Sequence, residues 1–243
     1  MKERLGTLFK AILFLLEKMV FELICPVCHR PMHSYRDDPL CRTCRAAVLD
    51  EPFEPGCPLC GNRISPYQKV CGGCSIVPPP VQGFAASGEY SGEMKDLIKA
   101  YKYGGVTRLA PVLTELLLEA YNRAAFGVSF DGVLIIPRYR PAWRTFYPMK
   151  PVARRFCRIK GLPFMPRTLV KKKATPPQAA LTGRARLKNL RGAFEARKNS
   201  RIGGLSLLLL DDVGTTGSTV RFAAEALQRA GARVWVLVIA KAR

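Results

Sequence analysis

Histidine is nearly absent from this chain of 243 residues: there are two, His29 and His33, and both lie near the amino end. The rest of the chain therefore lacks the imidazole on which Ser–His and Cys–His nucleophilic catalysis depends. Acid is scarce as well, with 18 Asp or Glu against 39 Lys or Arg and a formal charge of +21. Residues 1–80 carry ten basic and eight acidic side chains, a net of +2, whereas residues 81–243 carry 29 and ten, a net of +19. Between Arg138 and Arg201 nineteen bases accompany a single acid, Glu195. A run so one-sided repels itself unless anions neutralise it, so a phosphate-rich partner is expected in preference to a merely solvated face. Long apolar runs are also missing. Leu5–Ile24 is interrupted by Lys10, Glu17, Lys18 and Glu22, and its unbroken core, Ala11–Leu16, is too short for a signal peptide. Its helical spacing predicts an amphipathic helix packed on the next module, with a helix lying on a membrane surface as the alternative. No other stretch is long enough to span a bilayer, and a soluble, reducing, cytoplasmic protein is expected.

Cysteine, by contrast, is plentiful. Eight of nine fall into four C-x-x-C pairs: Cys25 and Cys28, Cys41 and Cys44, Cys57 and Cys60, Cys71 and Cys74. Two such knuckles place four thiolates around one ion and leave no open position, which is the pattern of a structural zinc site. Sequential pairing gives two zinc ribbons, and the short intervals favour it; pairing first with third and second with fourth would give a cross-braced module. Gly61, Gly72 and Gly73 are expected at the turns. The ninth cysteine, Cys157, sits in a helical pattern and reads as a buried structural thiol.

The stiff segment Val77–Pro80 marks a boundary, which divides the chain into an N-terminal helix (1–24), a double ribbon (25–76) and a larger domain (81–243). In that domain Phe84–Tyr90, Asp131–Pro137, Leu205–Asp212 and Arg233–Ala240 read as strands. Glu93–Tyr103, Leu109–Ala125, Val152–Lys160 and Val220–Ala230 read as helices. Strand, helix and strand at the end form a βαβ unit, and the whole predicts an α/β fold with a mostly parallel sheet flanked by helices. The segment Leu207–Val220, LLLLDDVGTTGSTV, concentrates the chemistry. Its leucines suit a strand buried on both faces. Asp211 and Asp212 follow at the end where open α/β sheets bind ligands. Val213, Gly214, Thr215, Thr216, Gly217, Ser218 and Thr219 then lead into a helix whose N-terminus suits a phosphate. A bare βα turn would need only one capping hydroxyl and no paired acids.

That order of parts resembles the 5-phosphoribosyl-1-pyrophosphate signature of type I phosphoribosyltransferases. With two four-cysteine ribbons ahead of it, the chain resembles the ComF family, associated with bacterial competence and DNA uptake. The likeness extends to Met94–Tyr103 (MKDLIKAYKY) and to Thr175, Gln178, Leu181, Arg186, Asn189, Ala193 and Phe194. The resemblance implies that Asp211 and Asp212 hold the ribose hydroxyls and that the loop holds the 5-phosphate. Arg138 and Arg140 would then face the pyrophosphate, with Arg184, Arg186 and Lys188 as a basic lid and Mg2+ arriving with the ligand. Where the family shows R-G-F-N-Q, this chain has Arg144–Pro148, so ligand binding is implied more directly than transfer to an acceptor.

Three functions follow as expectations. The first is a phosphoribosyltransferase, or at least a binder of phosphoribosyl pyrophosphate or a related ribose 5-phosphate ligand, acting in DNA uptake. The second is an accessory protein whose basic block tracks single-stranded DNA, with Trp143, Phe146, Tyr147 or Phe156 either stacking on bases or packing in the core or hood; helicase or other DNA-uptake proteins are the partners it implies. The third, a purely structural zinc adaptor, leaves the loop unused.

Overall fold

Leu207, Leu208, Leu209 and Leu210 are fully buried, and a strand that offers leucine to both faces needs cover on both. The computed structural model describes residues 23–32, 38–50, 53–54, 56–137, 147–172, 192–198, 200–215 and 217–243. Helices α1 (Arg42–Leu49) and α2 (Gly72–Ile76) belong to the cysteine-bearing part. The larger domain runs β1 (Gly83–Glu89), α3 (Gly92–Lys102), a 3-10 turn, α4 (Ala110–Ala124), β2 (Gly132–Ile135) and α5 (Met149–Lys160). It continues with β3 (Leu169–Lys171), β4 (Phe194–Ala196), β5 (Ser206–Gly214), α6 (Ser218–Arg229) and β6 (Arg233–Lys241).

Four strands form one sheet in the order β1-β6-β5-β2, and every pairing in it is parallel. Alternation along β5 sends Leu208 and Leu210 to one face and Leu207 and Leu209 to the other. The first face packs with apolar residues of α3, α4 and α5, among them Leu97, Leu113, Leu117 and Phe156. The second packs with Ala223, Ala224 and Leu227 of α6 and with Leu169 and Phe194 of the small antiparallel β3-β4 pair. The expected parallel sheet with helices on both faces is the observed architecture.

Both edges of the sheet are occupied. Along β1, the Phe84 N–H donates to the Pro58 carbonyl at 2.7 Å, and Arg123 of α4 donates to the carbonyls of Ala86 and Ser87 at 2.9 and 3.0 Å. Along β2, the Val133 N–H donates to Pro163 and the Val133 carbonyl accepts from Met165, each at 2.8 Å. The N-terminal part is tied on through Arg45, which meets Asp38 at 2.8 Å and Glu115 of α4 at 2.7 Å.

Several elements differ from expectation. The predicted N-terminal helix lies almost wholly outside the described residues, and at its end Ile24 is extended instead, bridging Pro31. The strand expected to stop at Asp212 continues to Gly214, because Ala240 and Lys241 of β6 supply partners. Phe156, proposed to stack on bases, is fully buried and packs edge-on against Tyr121. Helical spacing turns it inward while Arg154, Arg155 and Arg158 face solvent. Tyr147 is likewise half-buried, its hydroxyl donating to the Ile136 carbonyl. Trp143 and Phe146 lie outside the described residues. Cys157 is the buried thiol expected, with burial pushing its pKa up to about 12.

Candidate functional site

The acids after the leucine run sit inside β5, so alternation splits them. Asp212 continues the Leu208 and Leu210 face, is 5% exposed, and meets Lys102 Nζ from the last turn of α3 at 2.9 Å. Asp211 falls on the other face and is half-buried. Each supports the chain beyond it: Asp211 Oδ1 accepts from the Asp212 N–H at 2.9 Å and Asp212 Oδ1 from the Val213 N–H at 2.8 Å. The side-by-side carboxylate pair is therefore one buried ion pair and one acid nearer the surface. Together with its own burial and Tyr103, Asp212 keeps the Tyr90 phenol above its ordinary range.

Beyond the acids the chain turns on two contacts. A Cβ on Gly214 would lie 3.2 Å from the Phe84 ring and 3.5 Å from Lys241 Cδ. There is little room here for a larger residue. Lys241 is 2% exposed, and its Nζ donates to the carbonyls of Thr215 at 2.8 Å and Ala242 at 2.5 Å. Burial lowers its pKa. Gly217 then enters α6 at φ +75°, a left-handed conformation that glycine adopts without strain. No side chain caps the helix and its first turn carries no acid, so the positive end of its dipole is uncompensated within the helix. Ser218 is buried and Thr219 half-buried. Thr216 lies outside the described residues, as do the whole expected pyrophosphate and lid set, Arg138, Arg140, Arg184, Arg186 and Lys188. Sequence reasoning missed Lys102 and Lys241. Lys102 was visible only as one letter of MKDLIKAYKY, and Lys241 only as a cation ending the apolar run RVWVLVIA.

The cysteines group sequentially. The sulfurs of Cys25, Cys28, Cys41 and Cys44 all lie within 4.8 Å of one another, as do those of Cys57, Cys60, Cys71 and Cys74. None is disulfide-bonded. In each group the first pair lies in a turn and the second pair opens a short helix, α1 or α2, so Gly72 and Gly73 are helical and not in a turn. His29, exposed, is not among the clustered groups, and His33 lies outside the described residues. Zn–S bonds of about 2.3 Å place tetrahedral sulfurs about 3.8 Å apart. The Cys28–Cys41 and Cys60–Cys71 separations are 3.7 and 3.5 Å, so the donor set fits a zinc ion. Its electrostatics fit too. Burial raises the Cys25 and Cys57 thiols, yet backbone N–H groups outweigh it and bring both down to about 7. Burial and neighbouring sulfurs push Cys44 and Cys74 far up. Four sulfurs held this close together are a set that a divalent cation relieves.

No family model matches the chain. It is 30% identical over 222 residues to the DNA utilization protein YhgH of Salmonella typhimurium, covering 88% of this chain and 96% of that protein. The Escherichia coli K12 protein of the same name is 30% identical over 223 residues with the same coverage. Among solved structures it is similar to UMP synthase of Leishmania donovani, at 19% identity and TM-score 0.33 over 60% of this chain and 24% of that one. It is also similar to adenine phosphoribosyltransferase of Thermoanaerobacter pseudethanolicus, at 15% identity and TM-score 0.36 over 56% and 82%. At these scores the structural likeness carries no further argument.

Removing one member of a buried ion pair strands the other charge. Lys102→Met is expected to lower unfolding free energy by about 3 kcal/mol in urea titration. Elemental analysis of the purified chain is expected to return about two zinc per molecule, falling to about one when Cys57 and Cys60 are both replaced by serine.

Proposed function

From the premise that the chain belongs to the family of the DNA utilization protein YhgH, we propose that it binds phosphoribosyl pyrophosphate or a related ribose 5-phosphate ligand and acts in DNA uptake. The observation that carries the ligand reading is the uncapped, acid-free N-terminus of α6, entered through Gly217 directly after two acids at the carboxyl end of β5. Backbone N–H groups and hydroxyls from Val213 to Thr219 would hold the 5-phosphate, with the helix dipole favouring its charge. Asp211, the more exposed acid, would take the ribose hydroxyls. Asp212, neutralised by Lys102, would hold α3 against the strand that carries the site. Lys241 would fix the loop through the Thr215 carbonyl and leave the N–H groups free to point outward. Mg2+, if it accompanies the ligand, would screen the pyrophosphate. The two cysteine groups would hold zinc as closed, structural sites. The free thiols support a reducing, cytoplasmic setting, and among the described residues no helix is long and apolar enough to cross a membrane. The proposed divisions remain 1–24, 25–76 and 81–243.

A second reading, contact with single-stranded DNA through the basic block, is supported by α5, where Arg154, Arg155 and Arg158 are exposed together with no acid in the helix. Both readings serve a DNA-handling protein.

Calorimetry with phosphoribosyl pyrophosphate and Mg2+ tests the first. Saturable heat is expected from the wild type, with Asp211→Asn binding about tenfold more weakly while its melting temperature holds, since that acid is not the buried one. Absence of heat, or undiminished binding by the variant, overturns the reading. For the second, the logarithm of affinity for an oligonucleotide should fall against log salt by about 0.7 per phosphate contact, and an affinity flat in salt overturns it.

A further inference from the structure

A cavity of about 480 Å3 opens between the second cysteine module, the amino end of β1 and the carboxyl end of α4. It is centred at the amino end of the sheet, around Gly83, where β1 begins, and its register partner Trp235 near the start of β6, and it shares the Phe84 ring with the loop after β5. Four aromatic rings line it, those of Phe53, Phe84, Phe126 and Trp235, and Arg123 is the lining side chain with a permanent charge.

One detail points to a ligand. Trp235 is 9% exposed, yet among the described residues no acceptor receives its Nε1–H. A buried donor left without a partner costs about 1–3 kcal/mol, and native structures rarely keep one without a reason. Gly83 lets the indole lie close against β1. A Cβ built there would fall 2.8 Å from Trp235 Cδ1, 3.3 Å from Trp235 Nε1 and 3.3 Å from Phe126 Cδ1. There is no room for a side chain at this position, because the indole of Trp235 and the ring of Phe126 pack directly against it. The φ of Gly83 is not positive, so backbone conformation does not demand glycine at this place.

We propose that this cavity binds a nucleobase, seated against the ring of Phe126 and accepting a hydrogen bond from Trp235 Nε1–H. Flat π-faces are what aromatic walls hold best, and every base has one. Every base also carries ring nitrogens or exocyclic oxygens that accept a hydrogen bond, which an ordinary aromatic side chain does not. The volume admits a base with its sugar. Arg123, exposed at the rim, lies where the phosphate of a nucleotide would emerge. The base can be carried by a free nucleotide or by a single DNA strand, and the chemistry at the indole is the same.

Trp235 supplies its own reporter. The chain has two tryptophans, so Trp143→Phe leaves Trp235 as the sole source of indole fluorescence. Titration of that full-length chain with deoxynucleoside monophosphates and with a short single-stranded oligonucleotide is expected to give saturable quenching. Equal affinity for the two assigns the site to free nucleotides, and tighter binding of the oligonucleotide assigns it to the strand. Gly83→Ala is expected to abolish quenching. Because that variant crowds the ring and can fail to fold, Trp235→Phe is measured by calorimetry alongside it. This second change deletes the N–H and keeps an aromatic wall, and about tenfold weaker binding is expected. Binding of phosphoribosyl pyrophosphate should be the same in Trp235→Phe as in the wild type, so failure here leaves the loop reading standing. No saturable quenching, unchanged affinity in Trp235→Phe, or equally tight binding of an aromatic amino-acid amide overturns the proposal.

Discussion

A parallel strand with leucine on both sides cannot stop at a single layer of helices. Burying Leu207–Leu210 completely requires α3, α4 and α5 on one face and α6 with β3-β4 on the other. Each buried leucine contributes roughly 1.5–3 kcal/mol, so the two layers are held by the same few residues. The acid-bearing end of the strand follows from that burial. β5 stays paired with β6 as far as Gly214, which carries the acids to the rim and orders the chain at the point where it turns into α6.

The N-terminal part solves a different problem. Its small helices bury few apolar side chains of their own, and four sulfurs within 4.8 Å of one another take the place of a core. Without a cation such a cluster crowds four sulfurs with nothing to balance their charge as they ionise. With one, the same sulfurs become the rigid centre of the module. The second group is also braced against the larger domain, because the Phe84 ring lies against Gly61 of the module and Gly214 of the loop.

Much of the architecture could be read from the letters. The run LLLL admits almost no reading other than a doubly buried strand, and RVWVLVIA repeats the message for its neighbour. The C-x-x-C intervals were short enough to favour the sequential grouping that the structure has. Other features were not legible because they depend on what lies across space. That Asp212 would be buried against Lys102 while Asp211 stays nearer the surface depends on where α3 ends, and a neighbouring pair of letters does not say that the strand continues through both. Phe156 among arginines looked like a base-stacking residue, yet the period of the helix placed it in the core. Gly83 and Trp235 are 152 positions apart in the chain, and only the strand register makes them neighbours.

The occupied sheet edges have a consequence for how copies of this protein meet one another. A parallel sheet of four strands would ordinarily present two rows of unpaired amides to the solvent, and such rows recruit strands from other chains. Here the Pro58 carbonyl and the Arg123 guanidinium cover part of one row, and the segment from Pro163 to Met165 covers part of the other. Strand-to-strand growth is obstructed on both sides. A strongly basic molecule brought to high local density can therefore crowd without its sheets extending into one another.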